Sequence, residues 1–274
     1  MNTSIAFIGG GNMATSLIAG LLKDRLKPEQ ILVAEPDADR RTQLENEYAI
    51  KTTQNNSDCL QYSTVVLAVK PQIMQQVCRQ LASSTRSADC LFISIAAGIN
   101  SDDIDRWLGE NQAIVRCMPN TPALVGCGAT ALYANEAVSE QQKNTAEQTL
   151  QAVGISLWVK DEAELDAVTA VSGSGPAYFF LLMEAMQTAG AALGLSPETA
   201  KDLTIQTALG AAHMADKSDT EPSILRQQVT SKGGTTEQAI ATFENAEFQT
   251  LVKNALQAAY DRSKTMAEEL GKDS

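Results

Sequence analysis

The chain has 274 residues, 44% apolar and 20% charged, the composition of an ordinary globular protein long enough for two modest cores. With 33 Asp and Glu against 21 Lys and Arg, the formal net charge is −12; this repels polyphosphate backbones and anionic bilayers and argues against nucleic acid or membrane as partners. Cys59, Cys78, Cys90, Cys117 and Cys127 are irregularly spaced and His213 is the one histidine, so neither a metal site nor a disulfide framework is expected. The first twenty residues have no basic start, no run reaches the ~18 apolar residues of a bilayer span, and the expected compartment is the reducing cytoplasm. A small carboxylate substrate remains compatible with the charge, because backbone N–H groups act at short range.

Residues 4–8 form a short apolar run that breaks into Gly9-Gly10-Gly11-Asn12-Met13-Ala14, after which Leu17, Ile18, Leu21 and Leu22 recur at helical spacing. This reads as strand, tight turn and helix. A second β-type run at 31–34 leads into Glu35-Pro36-Asp37 and a charged helical stretch ending near Glu47. Further apolar runs of strand length at 64–69, 91–95 and 113–117 alternate with helical segments around 73–81 and 102–108, which predicts a doubly wound parallel sheet. Two more β-type runs, 129–133 and 156–159, flank a helix opened by Ser139 with Gln142 three residues on, the form of a capping box. From about Leu165 strands stop, and helices are predicted near 174–194, 198–217, 222–229, 236–245 and 248–270. The stretch 176–194 is apolar around most of its circumference, so a subunit interface is expected there.

Gly9-x-Gly11-x-x-Ala14, between strand and helix, suits a pyrophosphate approaching the backbone at a helix N-terminus; the competing reading is a glycine turn without a ligand. Glu35 ends the second strand, where a carboxylate accepts from a ribose 2′-hydroxyl and repels a 2′-phosphate, favouring NAD. Arg40 and Arg41 pull the other way unless they form a solvated helix face. Strand ends direct attention to Ala68-Val69-Lys70-Pro71, Ala96-Ala97-Gly98 and Met118-Pro119-Asn120-Thr121-Pro122. Lys70 reads equally as a phosphate or nicotinamide partner and as a surface lysine. Late in the chain, Thr230-Ser231-Lys232-Gly233-Gly234-Thr235-Thr236-Glu237 precedes a helical pattern, and paired glycines followed by hydroxyls form an anion nest; the plainer reading is an N-cap by Thr235 or Thr236. Ser172-Gly173-Ser174-Gly175-Pro176 reads mainly as a hinge and helix start, and His213 as structural.

Taken together, the glycine-rich turn, A-V-K-P, A-A-G, M-P-N-T-P, S-G-S-G-P-A-Y and the late Gly-Gly-Thr-Thr turn resemble, in order and over residues 9 to 236, the pyrroline-5-carboxylate reductase family. The resemblance implies an α/β protein: an N-terminal Rossmann-type doubly wound sheet over 1–160 and a C-terminal all-α dimerisation domain over 161–274, forming an intertwined homodimer, sometimes built into a larger ring such as a decamer. It implies NADPH or NADH held by Ile8, Gly9, Gly11, Asn12, Met13, Ala14, Glu35, Asn55, Ala68, Val69, Lys70, Pro71, Ala96, Ala97 and Gly98. A cyclic imino acid would be held by Ser174, Ser231, Gly233, Gly234, Thr235 and Thr236, with Thr236 as the catalytic donor to the ring nitrogen. Two departures stand out: Lys232 where many relatives have proline, and Glu35 where NADPH-preferring relatives carry small or neutral residues.

The implied activity is reduction of 1-pyrroline-5-carboxylate to L-proline, the last step of proline biosynthesis. A protonated imine accepts hydride without a strong general acid, which fits a chain with one histidine. The rivals are a related 3-hydroxyacid dehydrogenase or imine reductase, against which the absence of lysine from 176–194 counts, and a non-catalytic dinucleotide-binding protein, against which the intact Ser231 to Thr236 turn counts.

Overall fold

A computed structural model describes residues 4–84 and 90–272, which fall into two compact units, residues 1–174 with 259–274 and residues 175–258. The first unit is built on strands β1 (Ile5–Ile8), β2 (Ile31–Ala34), β3 (Lys51–Thr53), β4 (Thr64–Leu67), β5 (Leu91–Ser94), β6 (Ala113–Met118), β7 (Gly128–Ala134) and β8 (Gly154–Trp158), in the order β3-β2-β1-β4-β5-β6-β7-β8. Its helices are α1 (Asn12–Asp24), α2 (Ala38–Tyr48), α3 (Pro71–Ala82), α4 (Ser101–Leu108), α5 (Glu140–Leu150) and the short α6 (Glu164–Val168).

Continuous apolar strands need cover on both faces. Phe7, Val33, Val66, Ile93 and Val115 pack with Leu17, Ile18 and Leu21 of α1 and Ala146 and Leu150 of α5. Their neighbours Ala6, Ile8, Val65, Leu67, Phe92 and Ile114 pack with Met74, Val77 and Leu81 of α3 and Ile104, Trp107 and Leu108 of α4. Each fully buried side chain of this size contributes about 1.5–3 kcal/mol before entropy is subtracted. Strand order reverses where β1 lies between β2 and β4, so the chain leaves these strands in opposite directions and opens a crevice at their C-terminal ends.

The sheet departs from the expected parallel pattern at β7, which runs antiparallel to β6. Only nine residues join the two strands, with a single 3₁₀ turn at Thr121–Val125, too few for the crossover that parallel neighbours require. β8 returns to parallel pairing with β7 through α5. The opening of α5 is the expected capping box: Gln142 N donates to Ser139 Oγ at 3.3 Å and Ser139 N to Gln142 Oε1 at 2.9 Å. β3 is three polar residues at the sheet edge, without the alternation that marks a strand in sequence.

The second unit contains α7 (Gly175–Ala192), α8 (Pro197–Asp216), α9 (Pro222–Gln228), α10 (Thr235–Asn245) and the first part of α11 (Phe248–Leu270). Gly194 at φ +103° turns the chain between α7 and α8, and Ser196 caps α8 by accepting from Thr199 N at 3.1 Å. Phe179, Phe180 and Leu181 on α7 are 66%, 63% and 67% exposed. Three consecutive large apolar side chains left in water call for cover by another chain. Among the described residues no helix is long and apolar enough to cross a membrane.

The expected division at residue 160 differs from the observed units, which separate after Ser174 and return the end of α11 to the first unit. The reason is visible in its contacts: Ser263 Oγ donates to Asp166 Oδ1 at 2.6 Å, and Arg106 Nη2 to the Gly271 carbonyl at 3.0 Å. Met266 also lies over Gly98, leaving 3.2 Å for any Cβ there.

Candidate active site

The loop after β1 is stitched to both neighbouring strands. Gly9, at φ +100°, donates its N–H to the Ala34 carbonyl at 2.8 Å, and Ala68 N donates to the Ile8 carbonyl at 2.9 Å. A Cβ on Gly9 would stand 2.6 Å from the Ala68 carbonyl oxygen, so this position accepts only glycine without displacement of backbone. Gly11 is the N-cap of α1 with no side-chain cap, no acidic residue follows in the first turn, and nothing lies within 4 Å of where its Cβ would be. Helix N–H groups left open beside free space fit a pyrophosphate. Asn12 is exposed, Met13 half-buried, and Ala14, 1% exposed, provides the small residue that lets α1 pack on β1.

Glu35, immediately beyond β2, is bound within the loop: Oε2 accepts from Gly10 N at 2.8 Å and Oε1 from Asp37 N at 3.1 Å. The two arginines are not a solvated helix face. Arg40 donates from Nε to the Gly10 carbonyl at 2.7 Å and from Nη2 to Thr15 Oγ1 at 2.5 Å; Arg41 Nη1 donates to the carbonyls of Glu35 and Pro36 at 2.7 and 2.8 Å. Both brace the turn with their donors while their charges stay beside the Glu35 carboxylate. Glu35→Gln, which retains an oxygen for Gly10 N and removes the charge, is expected to raise kcat/KM for NADPH relative to NADH about tenfold, the equivalent of about 1.4 kcal/mol. An unchanged ratio in parallel initial-rate assays would remove Glu35 from cofactor selection.

Asn55 precedes the 3₁₀ turn Asn56–Gln61, which it caps by accepting from Ser57 N at 3.2 Å while Nδ2 donates to Asp58 Oδ1 at 2.9 Å. Ala68 and Val69 are half-buried beyond β4, and exposed Lys70 is the N-cap of α3 with Pro71 as its first residue. Beyond β5, Ala96 is buried, Ala97 half-buried and Gly98 turns at φ +70°. The following helix is pinned by a partly buried ion pair: Arg116 Nη1 lies 3.1 Å from Glu162 Oε1 and donates to Asn100 Oδ1 at 2.9 Å, while Glu162 also accepts from Ser101 N and Oγ at 2.7 Å each. The fold thus gathers the expected cofactor residues at the C-terminal ends of β1 to β5.

Ser174 ends a π-helical turn, Thr169–Gly173, with its N–H donating to the Thr169 carbonyl at 2.8 Å. Such turns recur at functional sites. Asn120, which sequence reading left without a role, holds this turn: 8% exposed, it donates from Nδ2 to the Ser172 carbonyl at 3.0 Å and accepts from Ala129 N at 2.9 Å. Met118 packs so closely that a Cβ on Gly173 would lie 2.5 Å from its Cε. Asparagine between two prolines signals a turn; its partner 52 residues away leaves no sequence signal.

In the second unit, the N-cap of α10 is Gly234, with Thr235 and Thr236 as its first two residues, so the reading of either threonine as a plain N-cap is corrected. Gly233, at φ +73°, turns the chain so that Gly234 N reaches the Ser231 carbonyl at 3.0 Å, and Ser231 Oγ fills the space where a Gly234 Cβ would lie. No side chain caps the helix, which leaves its leading N–H groups open to an anion. Ser231, Gly233 and Thr235 are exposed and Thr236 is half-buried. Gly233 N is occupied as well, donating to Glu237 Oε2 at 2.7 Å.

Burial pushes the Cys59 and Cys78 thiols up to about 12 and Cys117 higher still, so none is a thiolate near neutrality. His213 is exposed in the last turn of α8, and among the described residues no three His, Cys, Asp or Glu side chains form a metal-binding group.

Known proteins share this fold and much of this sequence. Residues 162–266 match the family model described as pyrroline-5-carboxylate reductase dimerisation, and residues 4–98 the one described as NADP oxidoreductase coenzyme F420-dependent. The pyrroline-5-carboxylate reductase of Pseudomonas aeruginosa is 54% identical over 268 residues, 97% of this chain and 98% of its own length. A pyrroline-5-carboxylate reductase structure from Coxiella burnetii, 45% identical, aligns with a TM-score of 0.93 over 97% of this chain and 99% of its own. The Plasmodium falciparum pyrroline carboxylate reductase, solved with NADP bound, is 31% identical with a TM-score of 0.86 over 97% and 98%.

Proposed function

The chain belongs to the pyrroline-5-carboxylate reductase family and reduces 1-pyrroline-5-carboxylate to L-proline with NADPH or NADH, and from that premise we propose how its own residues divide the work. The observation that carries the division is the uncapped start of α10: open N–H groups behind paired glycines, with two threonine hydroxyls beside them. We assign the substrate carboxylate to these N–H groups and the Ser231 hydroxyl. The Thr236 hydroxyl oxygen accepts from the N–H of the protonated ring nitrogen, and its O–H donates to the lone pair that forms there as hydride adds. The open N-terminus of α1 and the loops Ala68 to Pro71 and Ala96 to Gly98, with Glu35 and Asn55, hold the dinucleotide.

When bound, the dinucleotide supplies a hydride from C4 of its reduced nicotinamide. The acceptor is the C=N carbon of the protonated imine: a C–H bond forms, the π pair moves to nitrogen, and the product is the secondary amine of proline. The protein's contribution is to orient, with Thr236 fixing the nitrogen and the α10 N–H groups fixing the carboxylate. No residue needs to give up a proton at an unusual pKa, consistent with a chain in which no histidine serves as a general acid. A 3-hydroxyacid dehydrogenase would use a lysine on the first long helix, and α7 contains none.

The matched dimerisation region supports an oligomer, and the exposed apolar side chains of α7 support a homodimer formed through that helix, with a larger ring such as a decamer as a further assembly. A cytoplasmic location accords with the free thiols of Cys59, Cys78, Cys117 and Cys127. The decisive assay is initial-rate oxidation of NADPH and of NADH with 1-pyrroline-5-carboxylate, run beside a linear 3-oxo acid. Rapid oxidation with the imine alone is expected; oxidation with the oxo acid alone would overturn the substrate assignment.

A further inference from the structure

Glu237 is the third residue of α10, and its carboxylate turns back over the helix start, where Oε2 accepts from Gly233 N at 2.7 Å. Glutamate at this position ordinarily reaches the N–H of the N-cap itself. Here the N-cap is Gly234, whose N–H is taken by the Ser231 carbonyl, so the side chain clamps the residue before it. That residue is Gly233, at φ +73°, the one left-handed step in the turn. Adjacent glycines have more conformational freedom to lose than any other pair. Among the described residues, the approach to the turn is otherwise tied only at its beginning, by Thr230 N to the Gln227 carbonyl at 3.0 Å and Thr230 Oγ1 to the Arg226 carbonyl at 2.6 Å.

We propose that Glu237 is a positioning residue of the substrate loop, holding Gly233 in its left-handed conformation so that the N–H groups of Thr235 and Thr236 stay aimed at the substrate carboxylate. The inference rests on the reading that this loop binds the substrate. Two effects oppose each other at such a carboxylate. Its hydrogen bond orders the loop, and its negative charge repels an incoming anion. The bond is charge-assisted and short, the stronger class. The repulsion acts at an exposed helix end, where solvent and salt screen it. Ordering therefore dominates, and the clamp lowers the KM for the imine. A further consequence is that Gly233 N–H, already taken, is not among the substrate's donors.

The test measures KM and kcat for 1-pyrroline-5-carboxylate at saturating dinucleotide, and KM for the dinucleotide, in Glu237→Ala, Glu237→Gln and Thr236→Ala, with circular dichroism to verify folding. Glu237→Ala is expected to raise the KM for the imine about tenfold, the factor of one lost charge-assisted hydrogen bond, with a smaller change in kcat and none in the dinucleotide KM. Glu237→Gln, whose amide oxygen still accepts from Gly233 N, is expected to restore most of that loss. An unchanged KM in Glu237→Ala, or a fall in KM in both Glu237 variants, overturns the proposal. So does a rise as large in Glu237→Gln as in Glu237→Ala. If Thr236→Ala also leaves the kinetics unchanged, the substrate reading of the loop fails with it; if Thr236→Ala is impaired while Glu237→Ala is not, only the clamp fails.

Discussion

Thr236→Ala is expected to lower kcat/KM for 1-pyrroline-5-carboxylate by about two orders of magnitude, the usual effect of removing one donor aimed at a reacting centre. The expectation follows from what Thr236 does not do. It is the second residue of α10, the N-cap is Gly234, and the Thr236 hydroxyl makes no hydrogen bond within the described residues. Structural cost should therefore be small: alanine is the better helix former by about 0.5–0.7 kcal/mol, and a half-buried methyl and hydroxyl are lost in exchange. Steady-state kinetics with the imine, paired with thermal melting, separates the two effects. Wild-type turnover in a well-folded Thr236→Ala would leave orientation to the N–H groups alone, whereas a large fall in melting temperature would recast Thr236 as a packing residue.

Gly154→Ala is expected to prevent folding. Gly154 begins β8 at φ +152° and pairs in register with Gly128 of β7, so two glycines face each other across the ladder. A Cβ there would stand 2.0 Å from the Gly128 carbonyl oxygen and 2.5 Å from its nitrogen. Both are backbone atoms and cannot rotate away. Parting these strands exposes the end of the sheet packed by Val153 and Leu150, at a cost above about 5 kcal/mol, comparable with the whole stability of a typical domain. Gly126→Ala is the control: it also has positive φ, +73°, yet nothing lies within 4 Å of its Cβ, so it should cost only about 1–2 kcal/mol. Soluble yield and melting of the two variants decide the matter; a soluble Gly154→Ala with wild-type melting would show that the β7–β8 contact is looser than described.

Much of the fold was legible because it is written in local patterns. Strand-length apolar runs, the Gly9 to Ala14 turn and the Ser139 capping box each depend on residues a few positions apart. β3 escaped notice because three polar edge residues have no apolar face to alternate. The loops proposed to hold the cofactor, Asn55 apart, each follow a strand legible in the sequence. The expectation for Glu35 rested on its position alone and missed the two N–H groups that its carboxylate holds.

By itself, then, the sequence determined the succession of elements, the helical second half and the turns that offer open N–H groups, because these arise from backbone preferences and periodic burial over short stretches. Only the tertiary structure decided the antiparallel turn of β7, the return of the α11 end to the first unit through Ser263 and Asp166, and the grip of Asn120 on Ser172. It likewise decided that Gly234 rather than a threonine caps α10, leaving Glu237 to hold Gly233. Hydrogen bonds between distant segments depend on which groups meet after packing, and at helix starts several neighbouring residues can compete for the same N–H. Neither choice has a period that a sequence can display.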